Sequence, residues 1–271
     1  MSGWLPWFSD RLPTLDRDER KALLERVTAG TGSGSDYHVM MILSSGLASL
    51  GLLEGSTAVV IGAMLVAPLM GPLIGAGLAL AQGNLLLYRK SIVVALLGLL
   101  TGFAISVAMG LLNPGFEPSL EVEARGTPDI RDLGVAILSG FVAAYALGRP
   151  GVANTLAGVA IAAALVPPLC VVGIGLTNDR PVVAANSAIL LLTNLVAIIL
   201  SATCAFKLIG IRGSGTSGCA RNWVPLTFLV LILVALILLL PLMSNEEKQK
   251  PRAQTTPLNY HLAAHVNEAV T

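Results

Sequence analysis

Apolar residues run through this chain in seven long blocks, at 37–53, 56–81, 91–112, 133–147, 152–177, 182–211 and 223–243, with polar residues confined to the gaps and the two ends. Neither the strict alternation of a half-buried strand nor the narrow stripe of a soluble helix organises these blocks; each is apolar on all sides, as a helix surrounded by lipid or by other helices must be. A helix needs roughly 20 such residues to cross a bilayer. Most of the blocks reach that length, and the first and fourth fall short of it. The pattern predicts seven transmembrane segments in an all-α integral membrane protein.

The second and fifth blocks are related. Laid over each other from Val59 and Val159, the stretches ending at Gly75 and Gly175 agree at Val59, Ile61, Ala63, Leu65, Val66, Pro68, Leu69, Ile74 and Gly75. The blocks on either side follow suit: ILSSG at 42–46 returns as ILSG at 137–140, and LLTG at 99–102 returns as LLTN at 191–194. A three-helix unit is therefore duplicated, with one helix added. An odd number of crossings per unit sends the second copy into the membrane from the opposite side, so the repeats are inverted. Each copy of the central block carries prolines in its middle, Pro68 and Pro72 in one, Pro167 and Pro168 in the other. Proline removes a backbone donor and clashes with the preceding turn. The second and fifth helices are accordingly expected to be broken there, with the freed carbonyls sheltered inside the protein.

Composition and charge sharpen this. With 54% hydrophobic and 12% charged residues the chain is too apolar for a soluble domain of 271 residues. A net charge of +1 and the lack of a dense basic run argue against a nucleic-acid partner. Cys170, Cys204 and Cys219 make no disulfide or metal-ligand spacing. With the N-terminus in the cytoplasm, eleven Lys and Arg fall inside and six outside, so the positive-inside rule favours an inner-membrane protein with N-in and C-out orientation.

The expected domains are a polar, interfacial region at 1–36, a first membrane repeat at 37–112, a charged loop at 113–131, a second repeat at 132–211, a loop with the seventh helix at 212–243, and a polar tail at 244–271. Within the first, Trp4, Trp7 and Phe8 suit the headgroup level. A short charged helix at 14–28 is expected to lie solvated on the membrane surface, followed by the flexible linker GTGSGS.

Small residues recur every fourth position in the third block, at Gly98, Gly102, Ser106 and Gly110, and in the fourth, at Ala136, Gly140, Ala144 and Gly148. Such ridges let helices approach closely in lipid, within one chain or between copies in a homo-oligomer. Ionisable groups are rare enough in the blocks that those at the edges matter. Glu54, in the tight turn between the first two blocks, is either a helix cap or a gate; Arg149, in the matching turn, is a topology anchor or a gate residue. Glu121, Glu123, Arg125 and Asp129, with Arg131 and Asp132, form either an ion-attracting vestibule or a salt-bridged cap on the fourth helix. Asn186, Ser187, Thr193 and Asn194 are polar groups that either join helices or meet a solute. No nucleophile with its base, metal-ligand cluster or phosphate loop is seen. The sequence therefore predicts no enzyme, cofactor or metal.

At AVVIGAMLVAPLMGPLIG (58–75), EARGTPDIRDL (123–133), GVAIAAALVPPLCVVGIGL (158–176) and LLLTNLVAIIL (190–200), the chain resembles bacterial and archaeal integral membrane proteins catalogued only as an uncharacterised hydrophobic domain of unknown function. The resemblance spans about 37–211 and departs where Gly55 and Ser56 follow Glu54, since the family pattern has an Asn in that corner. It implies a membrane location and supplies no substrate.

Inverted repeats with broken helices commonly hold a solute or ion near the bilayer midplane. The leading expectation is a secondary transporter whose site is bracketed by Ala67, Pro68, Gly71 and Pro72 and by Pro167 and Pro168, with Asn186 and Asn194 as further candidates, and whose partners are the bilayer and a small solute or ion. A three-plus-three-plus-one plan is also similar to that of trimeric intracellular cation channels, which makes an ion channel the alternative. The third possibility is a non-transporting scaffold or sensor that works through its polar ends.

Overall fold

The computed structural model describes residues 17–115, 117–127, 129–148 and 154–211, together with 224, 225, 227, 229–231 and 233. Trp4, Trp7, Phe8, Arg149, Cys219, the polar tail and most of the seventh apolar block lie outside the described residues. Every regular element among those described is a helix: α1 (Arg17–Gly30), α2 (Ser35–Glu54), α3 (Thr57–Val66), α4 (Met70–Gln82), α5 (Leu85–Leu112), α6 (Leu120–Gly126), α7 (Ile130–Leu147), α8 (Asn154–Thr177) and α9 (Pro181–Leu208). Five of them, α2, α5, α7, α8 and α9, are long and apolar enough to cross a membrane, and the bent pair α3 and α4 makes a sixth crossing if counted as one. Among the described residues the protein is all-α, with the helices of a membrane protein.

Local sequence sets the turns. Gly55, at φ 67°, adopts the left-handed conformation that closes α2, its N–H returning to Gly51 O and Leu52 O. Ser56 then caps α3 by accepting from Val59 N. At the other end of the hairpin Gly83, at φ 74°, closes α4, and Asn84 Oδ1 accepts from Leu87 N at 3.1 Å to start α5. That cap lets α5 begin six residues before the apolar block does, so that Arg89 and Lys90 stand exposed on its first turns.

α8 lies at the centre, packed against α2, α3, α5, α7 and α9, and α4 is wedged between α1, α5 and α9. The outer faces are apolar and exposed, as at Ile42 and Leu43 of α2, Leu96 and Leu100 of α5 and Leu138 and Val142 of α7, which suits contact with lipid. The small-residue ridges point inward. A Cβ added at Gly102 would sit 2.7 Å from Leu169 on α8 and 2.7 Å from Ser45 Oγ on α2, and one at Gly173 would meet Ser106 Cβ at 2.6 Å. Gly148 faces Ile209 at 3.0 Å, and Gly140 lies against Ser201 and Ile198. Both ridges are thus used for packing inside one chain.

Two expectations are corrected. The charged N-terminal helix does not lie free on a surface: α1 buries Leu23 and Val27 against α4. Its apolar stripe, narrow as it is, finds a partner within the chain. The fifth helix is not broken either, because α8 runs unbroken through Pro167 and Pro168.

Candidate functional site

The two proline motifs have different outcomes, and neighbouring side chains explain why. Before Pro68, Ala67 takes an extended conformation, φ −67° and ψ 124°, which relieves the clash that a proline ring imposes on a helical residue ahead of it. The chain turns through 56° between α3 and α4. Pro72 then sits in the first turn of α4, where its missing N–H costs nothing. Ala63 is among the last four residues of α3, whose carbonyls run short of in-helix partners. Its oxygen accepts a 2.8 Å bond from the buried Ser44 Oγ of α2.

In α8 the lost donors belong to consecutive residues, so the carbonyls they free, Ala163 O and Ala164 O, lie side by side on one turn. Asn194 of α9 supplies a replacement: its Nδ2 donates to Ala164 O at 2.9 Å. This side chain is 2% exposed. With the amide nitrogen committed to a carbonyl, which can only accept, Oδ1 is fixed as an acceptor, and it meets no donor among the described residues. A second polar group of the same kind, Ser45 Oγ on α2, is buried without a partner among the described residues. Around it lie Cys170, whose Sγ reaches Ser45 O at 3.6 Å, and Ser49 Oγ, which donates to Ser106 Oγ at 3.4 Å. The midsection of α8, with Cys170 and its freed carbonyls, is thus met by polar groups of α2, α5 and α9 within an otherwise apolar core.

The remaining candidates are placed as follows. Pro68 and Gly71 are half-buried at the bend, and Pro167 and Pro168 are buried. The bend reaches α8 through Met70, whose Sδ lies 3.1 Å from the position of a Cβ at Gly158. Gly158 is nine residues, about 13 Å of helix rise, before Pro167, so this contact does not bring the two proline motifs together. Asn186 donates to Gly126 O at 2.8 Å and Ser187 to Arg125 O at 2.9 Å, tying α9 to the end of α6. Thr193 Oγ1 donates within its own helix, to Ile189 O. Glu54 is exposed at the end of α2.

The charged loop contains a helix that its sequence does not announce. Ser119 caps α6 and also donates to Leu52 O at 2.7 Å, while Glu121 accepts from Thr57 Oγ1 and pairs with Arg125, both at 2.5 Å. Glu123 is exposed. Asp129 and Asp132 form the capping box of α7, with Asp129 N donating to Asp132 Oδ2 at 2.9 Å, and Arg131 pairs with Asp129 at 3.4 Å. In this arrangement Arg125, Asp129 and their partners cap helices and tie the loop to α2, α3 and α9.

Sequence reasoning missed Ser44, Ser45, Ser49, Cys170 and Thr31. The signal was present for the first three: serines at 44, 45 and 49 share one side of a helix that is otherwise apolar from Val39 to Leu53, which marks them as facing protein.

Five long apolar helices, or six spans with the bent pair counted as one, around a buried polar midsection define a polytopic membrane protein, with no strand among the described residues. Its membership is more specific. The chain belongs to the family described as domain of unknown function DUF389, whose model matches residues 64–200, from the end of α3 through most of α9. It is also 30% identical over 173 residues to an uncharacterised protein of Methanocaldococcus jannaschii. That match covers 64% of this chain and 54% of the relative, so the chain spans about half of the relative's length. No solved structure matches it.

Proposed function

We propose that this protein moves a small solute or ion across the membrane by a secondary-transporter-like mechanism, using the buried polar midsection of α8. The observation that carries this reading is the orphaned Asn194 Oδ1 beside the carbonyls freed by Pro167 and Pro168. Leaving a buried acceptor unpaired costs about 1–3 kcal/mol. A leucine of similar size would avoid that loss but would leave Ala164 O without its donor, so the amide serves the carbonyl with its nitrogen and offers Oδ1 to an incoming donor or a cation. In this reading the architecture is two inverted three-helix units plus a seventh helix. Its support is the way the helices pair. α8 contacts α2 and α5 of the first unit, and α4, the corresponding helix, contacts α7 and α9 of the second. Exchange of the units leaves that pattern unchanged. The protein sits in the cell's inner membrane with its N-terminus in the cytoplasm.

The test is flux into proteoliposomes holding the full chain, using sodium, potassium, chloride and acetate as probes. Wild-type protein is expected to carry at least one of them, and Asn194→Leu to reduce that flux by roughly tenfold, the effect of losing one well-placed ligand bond. Equal flux from the two proteins would overturn the assignment. Saturation with probe concentration supports a carrier, whereas a linear, voltage-driven current would favour the ion channel of similar three-plus-three-plus-one plan.

A further inference from the structure

The N-terminal helix is seated on the bend between α3 and α4 with a closeness that only glycine permits. A Cβ at Gly71, in the first turn of α4, would overlap the carbonyl of Gly30, the last residue of α1. One turn further along α4, a Cβ at Gly75 would lie 2.6 Å from Thr31 Cγ2 and 2.7 Å from Ser91 Oγ of α5. Leu23, Val27 and Thr31 recur at four-residue spacing, are 2%, 3% and 0% exposed, and form the seated face. Asp18, Lys21, Glu25 and Arg26 are exposed on the rest of α1. Electrostatics favours this seat. The C-terminal carbonyl end of α1, partially negative, meets the N-terminal end of α4, partially positive.

We propose that α1 and Thr31 form a detachable plug over the bend, hinged at residues 32–34, and that its release opens Gly71, Gly75 and Ser91 to water. Three features point to two positions rather than one. The seat is narrow, since Leu23, Val27 and Thr31 hold it with help from the half-buried Leu24. The hinge is free: Gly32, Ser33 and Gly34 are all exposed, and a Cβ at Gly34 would touch nothing within 4 Å. Docking also leaves a polar group unsatisfied beneath it. Thr31 Oγ1 is occupied with Val27 O and Thr28 O, both at 2.9 Å, so it is the methyl that faces Gly75 and Ser91. Ser91 Oγ, fully buried there, has no hydrogen-bond partner among the described residues. Water reaching it on undocking would offset part of the packing that α1 gives up, which keeps the two positions close in free energy.

The plug goes beyond the transport reading and does not depend on it. It is tested in the full chain with native cysteines replaced by serine and Ser91→Cys as reporter, labelled in proteoliposomes by a membrane-impermeant maleimide. Two further variants release the plug from opposite sides: Gly71→Ala puts a methyl into the Gly30 carbonyl, and Val27→Glu puts a charge into the seated face of α1, which lies outside the membrane helices. Each is expected to raise the labelling rate roughly tenfold over the parent. The distance between spin labels at exposed Lys21 and Leu86 should lengthen and broaden in parallel. If Gly71→Ala fails to fold, Val27→Glu alone decides. Labelling of the parent at the rate of a free thiol, or no acceleration in any folded variant, overturns the plug.

Discussion

Asn194 does for Ala164 what the backbone of residue 168 cannot, and this substitution of a side-chain donor for a missing N–H has a measurable signature. Truncation to Asn194→Ala strands Ala164 O inside the core. Interhelical bonds in membranes are worth about 0.6 kcal/mol on average and up to about 1.7, and an abandoned buried acceptor adds to the loss. The expected destabilisation is about 1–2 kcal/mol by unfolding in mixed micelles. Pro168→Ala restores the in-helix donor, so the same truncation in that background should cost less than half as much. A double-mutant cycle isolates this coupling. Additivity of the two changes would remove the proposed partnership. The sequence made Asn194 visible, as the residue that replaces Gly102 in the repeated LLT motif. What it acts on was not legible. Residues 164 and 194 meet only because of how α8 and α9 cross, and no spacing rule reports a crossing.

At the level of the element, prolines were legible as interruptions, yet only one motif became a bend. Pro68 drives Ala67 out of the helical region and ends α3, while Pro72, four residues on, falls in the first turn of α4, where a proline suits a new helix start. Pro167 and Pro168 concentrate the loss in one turn, which a single well-placed amide and packing on several sides can bridge. Helix existence was readable from apolar length, whereas α6 was hidden by its charge and its seven residues. The glycines show how far element-level reading reaches. Gly134 and Gly140 look alike within α7, but a Cβ at Gly134 meets nothing within 4 Å, whereas at Gly140 it would lie 2.5 Å from Ile198 O of α9. Gly134→Ala should therefore leave stability unchanged or raise it by about 0.5–1 kcal/mol through better helix propensity. Gly140→Ala should lower it by about 1–3 kcal/mol through overpacking. Thermal unfolding of the purified variants in one detergent compares them directly, and similar effects from both would show that the α7–α9 seam yields easily.

The whole molecule is where the seventh apolar block has its consequence. Starting from the face at which α1 docks, α2 leads away and α3 with α4 leads back. α5 then reaches the far face, where Asn178 donates to Gly110 O at 3.3 Å and Ser119 to Leu52 O. α7 returns and α8 leaves again, and α9 ends beside α7, with Ile209 against Gly148 on the starting face. With the bent pair counted as one pass, this order brings residue 211 back to the side of α1. A further crossing by block 223–243 would put the C-terminal tail on the opposite side from the N-terminus, in keeping with the excess of Lys and Arg assigned to the N-terminal face. Epitope tags at the two ends, probed in sealed right-side-out vesicles and after permeabilisation, should be protected at the N-terminus and open at the C-terminus. Protection of both ends would mean six crossings and a block that lies against the bundle without traversing the bilayer. The plug and the polar midsection of α8 would stand unchanged in that case, because every residue they use lies before position 212.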